Sequence, residues 1–343
     1  MKRLKVTLSA AAPAPNPAAV FDSRWSRLSS FISRVHTLHD SSASQAARDG
    51  APAPAPEFSY EELYSDVVDI CSLRQSDDLL ARLLGACGAR ASALLAPLDA
   101  GAGFDAAVLL TRVAAVWGAF CGELTIFRSV FLHLDRSYVV ELPGSRSLWD
   151  RAIALWGAAL ESRGALLSRV VGAVCEIIDR ERHGEAADRA TLAAVVRMLL
   201  SIGLLARALS GPILDATRDY FEAEGVRQMA TLDVSPYLLF VETAMARERD
   251  AANAYLASGS AAEGAAILRG VLARMDRALI ERHVAELVEK GLAGMLEHGR
   301  VDDLKRMHAL FTRVGRTDIL RTHFGHYVKV RAPPRPPQPC PLR

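Results

Sequence analysis

The stretch FRSVFLHLDRSYVVELPG, residues 127–144, reads as helix up to Pro143, yet its apolar residues do not keep to one side. At 100° per residue Val130, Leu134 and Tyr138 share a face, while Leu132, Val139 and Val140 fall on others. Arg128, Asp135 and Arg136 sit among them, so the segment is not a membrane span. A helix apolar on several sides is either wrapped by its own domain or partly reserved for another protein. His133 lies among these apolar neighbours, where the plain reading is a satisfied core histidine.

Working outward, the pattern stays helical. Upstream, Phe21, Trp25, Leu28, Ile32 and Val35 recur three to four apart and predict a helix over 22–39. Further helices are expected at 59–73, 76–96, 104–121, 123–141, 146–159, 163–182 and 187–208. Downstream they continue at 212–225, 235–257, 261–276, 279–297, 300–314 and 317–329. Ser235-Pro236 offers an N-cap followed by proline at the first helical position. Apart from KRLKVTL near the N-terminus, no segment alternates as a strand would, so the expected fold is all-α with short connections. Residues 8–20 and 40–57 are Ala/Pro/Ser-rich and read as linkers, and VRAPPRPPQPCPLR reads as a tail.

The totals narrow the class. The 343 residues are half hydrophobic and 23% charged, enough to bury cores. The net charge of +2, with five lysines among 41 basic residues, leaves no basic face for nucleic acid. The five cysteines (Cys71, Cys87, Cys121, Cys175, Cys340) lack CxxC spacing and fit a reducing cytoplasmic or nuclear compartment. The N-terminal MKRLKVTLSAAAPAP has too short an apolar core before its prolines to read as a signal peptide. No uncharged apolar run approaches the ~18 residues of a span, so no membrane partner is expected.

Motifs for chemistry are sparse. GAGFDA at 101–106 matches a loose dinucleotide form but lacks the preceding strand, and reads as an interhelical loop. His323 and His326 have no third ligand at convincing spacing, so no metal is expected. DRERHGEAADR at 179–189 mixes both signs around a glycine and reads as a solvated turn. HExxH, GxSxG and P-loop patterns are absent, and no catalytic residue or cofactor is expected. The residues alone stop at a helical binding scaffold.

Several phrases go further. FSYEELYSDVVDIC (58–71) followed by FRSVFLHLDRSYV (127–139) resembles the paired second and fifth helices of a cullin N-terminal region. YLLFVETAMARERDAANAYL (237–256) and LIERHVAELVEKGLAGMLEHGRVDDLKRMHALFTRV (279–314) resemble later cullin helices in the same order. MKRLKV at the start, SRSLWDRAIALW (145–156), DRERHGEAADR and YFEAEGVRQM (220–229) are similar to the fourth cullin class. That class recruits substrate receptors through a triple-β-propeller adaptor.

The resemblance implies an elongated array of five-helix cullin repeats. Residues 1–20 would be an adaptor-reaching segment and linker, 21–142 a first repeat containing the linker 40–57, and 146–257 a second. Residues 261–330 would be a partial third repeat, and 331–343 the Pro-rich tail. The family's RING-binding region has no counterpart here, so no RING-box subunit is expected for the chain as written. A short form, a divergent product and an incomplete gene model all stay open. The undercompleted third repeat leads us to expect poor cover of Leu310, Phe311 and Phe324.

Carried over residue by residue, the resemblance implies adaptor contacts at Tyr60, Glu61, Tyr64 and Val68 on the second helix. On the fifth it implies Ser129, His133 and Arg136, with His133 standing where the family has an aromatic. Lys2, Leu4 and Val6 would reach the propeller by edge-strand addition. Two plainer readings stand beside these: Tyr60 and Tyr64 as core aromatics, and residues 1–6 as a frayed terminus. The implied role is a non-catalytic scaffold of a cullin-RING ubiquitin ligase; the alternative is an independent helical-repeat interaction module.

Overall fold

Period-3.6 spacing becomes helix throughout the computed structural model, which describes residues 16–45, 58–101, 103–144, 146–256 and 261–331. Among these residues all regular structure is helical, an array of packed helices as expected. Lys2, Leu4, Val6, most of the 40–57 linker and nearly all of the Pro-rich tail lie outside the described residues. The chain divides into two compact units, residues 1–104 with 111–167, and 105–110 with 168–343.

The first unit contains α1 (Pro17–Gln45), α2 (Tyr60–Ser72), α3 (Ser76–Ala100), most of α4 (Ala106–Val130), α5 (Leu132–Ser137) and α6 (Leu148–Glu161). Its core is built from one stripe per helix: Leu28, Ile32 and Val35 on α1, Leu63, Val67 and Ile70 on α2, Leu79, Leu83 and Cys87 on α3. Phe120, Phe127 and Trp156 close it, with the Phe120 and Trp156 ring centroids 4.9 Å apart. Helix α6, expected to open a second repeat, packs against α3 in this unit, so the compact units do not coincide with the sequence repeats. Helix α1 also continues to Gln45, into the stretch expected as linker.

The 127–144 stretch is not the single helix expected over 123–141. Helix α4 runs straight through residue 122, where a break was expected. Gly122 serves packing there instead, because a Cβ would come 2.8 Å from His39 Cε1. The break falls at Phe131, and α5 lasts only to Ser137 before a 3-10 turn at Val139–Glu141. A single helical wheel therefore does not apply. Phe127, Val130, Phe131, Leu134 and Val139 all reach the core, while Val140 is exposed.

Two of these helices, α3 and α4, are long and apolar enough to cross a membrane by length and composition. The requirement for an uncharged run had passed over them because of Arg82, Arg90, Arg112 and Glu123. Inside the unit those charges are engaged. Arg90 binds the buried Glu123, Arg82 lies 4.6 Å over the Phe21 ring, and Arg112 lies 4.2 Å over Phe104.

The second unit contains most of α7 (Gly164–Arg182), α8 (Arg189–Ser201), α9 (Ser210–Thr231), α10 (Val234–Leu256) and α11 (Ala261–Met275). It continues through α12 (Val284–Leu287), α13 (Ala293–Glu297), α14 (Val301–Arg313) and α15 (Thr317–Arg331). The expected gap at 208–212 is absent: a π turn at Leu205–Leu209 runs directly into α9, and Pro212 lies just after it. The chain breaks earlier, at Gly203, whose φ of 72° suits the left-handed cap. Leu204 N donates to Leu199 O and Gly203 N to Leu200 O, closing the helix end.

The single helix expected over 279–297 is instead a series of short segments. π turns at Asp276–Ile280 and Val288–Leu292 flank a 3-10 turn and α12. Each π turn shifts the helical register, and Ala278, Leu279 and Ile280 are buried in succession. At the end of the array, Leu310 and Phe311 are buried by their own unit, against expectation. Phe324 is 49% exposed, as expected, with Val328 and Val330 also exposed on α15.

Candidate functional site

Helix α2 starts where Ser59 accepts a hydrogen bond from Glu62 N, with Glu61 and Glu62 placed favourably against the helix dipole. Its inward stripe is Leu63, Asp66, Val67 and Ile70. That periodicity turns Tyr60, Glu61 and Tyr64 outward, leaving Tyr60 48% and Tyr64 39% exposed. Val68 is half-buried at the edge. Neither tyrosine is a core aromatic, although the Tyr60 ring rests edge-on against the buried Phe31 at 6.1 Å.

Helix α5 packs beside α2 and brings His133 to Tyr64, their rings edge to face with centroids 6.2 Å apart. His133 is half-buried, not a core residue. Arg136 is exposed on the same short helix, and Ser129 is exposed one turn earlier, on α4 instead of a fifth helix. The surface is thus two tyrosines and an imidazole with polar side chains around them. Such amphipathic aromatics combine large contact area with low entropy cost on ordering.

What holds α2 in place was not legible in the sequence. The Asp66 carboxylate is fully buried and accepts from Arg24 Nη1 at 2.7 Å and from Arg27. Arg24 also reaches Asp69 at 2.8 Å. Two arginines on α1 therefore clamp the inward face of α2 while its outward face stays free. A second network ties α1 to α3 and α4. Buried Glu123 accepts from Arg90 Nη2 at 2.6 Å and pairs with His36 Nδ1 at 2.9 Å. Arg90 also donates to Asp40 at 2.7 Å. Burial alone would raise the Glu123 pKa, but the bonds from His36 and Arg90 outweigh it and hold the carboxyl below its usual value. Asp135 of α5 accepts from Leu148 N at 2.7 Å, capping α6 beside the Ser147–Asp150 capping box.

No described cysteine offers an activated thiolate: burial pushes Cys87 up to about 12 and Cys121 up to about 11. His323 and His326 are exposed on α15. The expected solvated turn at 179–189 needs correction, because Arg182 is only 4% exposed and binds the buried Glu248 at 2.6 Å.

The family model for the cullin alpha solenoid domain matches residues 25–333. The chain belongs to the cullin family. It is 29% identical to cullin-4A of Homo sapiens over 286 residues, 83% of this chain and 37% of that protein. It is 24% identical to cullin-4 of Dictyostelium discoideum over 310 residues, 90% of this chain and 36% of that protein. Cullin-3B of Arabidopsis thaliana is 23% identical over 265 residues, 76% and 35% of the two chains. Within the family the chain is cullin-4-like. It spans little more than a third of the length of these relatives.

Proposed function

We propose that this cullin acts as a scaffold subunit of a cullin-RING ubiquitin ligase in ubiquitin-dependent protein degradation. On this reading it holds a substrate-receptor adaptor on the exposed surface of α2 and α5. The observation that carries the reading is the outward pair Tyr60 and Tyr64 beside His133, on a helix whose opposite face is clamped to α1. Aromatic side chains left exposed on a rigid support are what an interface centre requires. The likeness to cullin-4 relatives supports a triple-β-propeller adaptor, and through it substrate receptors. Lys2, Leu4 and Val6 would add a second contact with that adaptor. The chain positions partners and performs no bond chemistry itself, with no cofactor, nucleic acid or membrane required. It acts in cytoplasm and nucleus, in keeping with the free thiols of Cys71, Cys87, Cys121 and Cys175.

The test is titration of the purified chain with a triple-β-propeller adaptor by biolayer interferometry. Saturable binding that is lost when Tyr60 and Tyr64 are both changed to Ala supports the reading. Absence of binding by the folded wild-type chain sinks it.

A further inference from the structure

Helix α5 carries His133 and Arg136 but has little of its own to hold it. It is six residues long, has no side-chain cap at its start, and is followed by a 3-10 turn at Val139–Glu141. A helix that short does not sustain itself in water. Leu134 is its single buried residue. One buried side chain fixes where a helix sits but does little to fix its roll. At about 100° per residue, His133 and Asp135 flank Leu134 on either side, so a roll that moves Asp135 also turns His133 away from Tyr64.

Asp135 supplies a second anchor. Its Oδ1 accepts from Leu148 N–H at 2.7 Å, across 13 residues of chain. Helix α6 does not need that bond to start, because it runs for 14 residues and has its own capping box. There Ser147 N–H donates to Asp150 Oδ2 and Asp150 N–H to Ser147 Oγ, both at 3.2 Å. Buried Leu148, Ile153 and Trp156 hold α6 in the core as well. Of the two helices α6 is the firmly anchored one, so the bond constrains α5. A carboxylate on a helix N-terminal N–H is also among the stronger hydrogen bonds.

We propose that Asp135 is a positioning residue for partner binding. By fastening α5 to the start of α6, it sets the roll that holds His133 beside Tyr64 and presents Arg136 outward. The inference rests on the reading of α2 and α5 as the adaptor surface. Asp135 is half-buried and commits a carboxylate oxygen inside its own unit, so it acts through its neighbours and needs no contact with the adaptor.

The test uses the full chain and the triple-β-propeller adaptor in biolayer interferometry, with amide hydrogen exchange on the free chain. Asp135→Ala is expected to weaken the adaptor about tenfold and to speed exchange in α5, leaving α6 beyond Leu148 unchanged. Asp135→Asn keeps an oxygen acceptor and should restore affinity to within about threefold of wild type. In a His133→Ala, Arg136→Ala background Asp135→Ala should cost less than about twofold, because the side chains it positions are gone. Beside Tyr60→Ala it should keep its full effect. A tenfold penalty undiminished in the first background overturns the proposal, as does an Asn variant as weak as Ala, or exchange that rises equally in α6. Failure of the wild-type chain to bind the adaptor sinks the functional reading instead. Exchange then decides the positioning role alone: a loss of protection confined to α5 sustains it, and unchanged α5 exchange overturns it.

Discussion

Tyr64 on α2 and His133 on α5 meet edge to face with ring centroids 6.2 Å apart, on a surface that their own unit leaves uncovered. The pair joins the two helices at the place where the family resemblance puts adaptor contacts. An edge-to-face contact of this kind contributes about 1 kcal/mol, too little to explain the fold but enough to favour this arrangement about fivefold.

Changing both Tyr64 and His133 to Ala should therefore weaken adaptor binding by at least about 30-fold, the equivalent of roughly 2 kcal/mol at an interface centre. The melting temperature should fall only slightly. A sharp thermal loss with unchanged adaptor affinity would place the two side chains in the core role instead.

Asp66 should behave in the opposite way. Its carboxylate is buried against Arg24 and Arg27, both of which keep part of their surface in water. Asp66→Ala should cost about 3 kcal/mol in denaturant unfolding, because the clamp between α1 and α2 loses its centre. Arg24→Ala should cost clearly less, since Arg27 stays in place. Equal losses from the two variants would mean that the arginines do not share the carboxylate as the geometry indicates.

Glu123 gives a pH dependence with a definite sign. Its folded pKa lies below the ordinary 4.5, so the folded state favours the charged form more than the unfolded state does. The stabilisation is complete above that ordinary value and is lost as pH falls through the depressed folded one. Unfolding free energies of wild type and Glu123→Gln should differ by about 3 kcal/mol near neutrality and converge at more acid pH. A gap that widened on acidification would contradict the depressed pKa.

Arg74 lies between α2 and α3 with φ at 57°, the only non-glycine residue among those described with positive φ. Its N–H donates to Cys71 O at 3.0 Å, and Gln75 N–H to Ile70 O at 3.3 Å, so the turn is one in which glycine is the favoured residue. Arg74→Gly should raise stability by about 1 kcal/mol, measured as a shift in the denaturation midpoint at unchanged m-value. A loss of stability would show that the Arg74 side chain makes a contribution larger than the strain it carries.

The α2 surface was readable because it depends on neighbours three and four residues away. Leu63, Val67 and Ile70 mark the inward stripe by spacing alone, and that places Tyr60 and Tyr64 outward whatever they face. The all-α class and the order of family motifs were equally local or sequential properties, and so were accessible from the chain. The partial exposure of His133 followed only from the family resemblance and not from its own pattern, since α5 is too short and too interrupted for a single helical wheel to assign its faces.

The charged residues inside the units were hidden for a different reason. Asp66, Glu123 and Glu248 look in sequence like any solvated carboxylate, and their partners stand 42, 33 and 66 residues away. Burial of an ion is tolerated only where an opposite charge and donors converge on it, and that convergence is a property of helices already packed. Helix ends followed the same division. Gly203 could end a helix by its own backbone freedom, whereas Gly122 looked like a break and became a close contact with His39. Sequence by itself determined which faces are apolar and which family the helices resemble. Tertiary structure decided which polar groups are paired and which remain free to meet a partner, because pairing depends on distances that only packing sets.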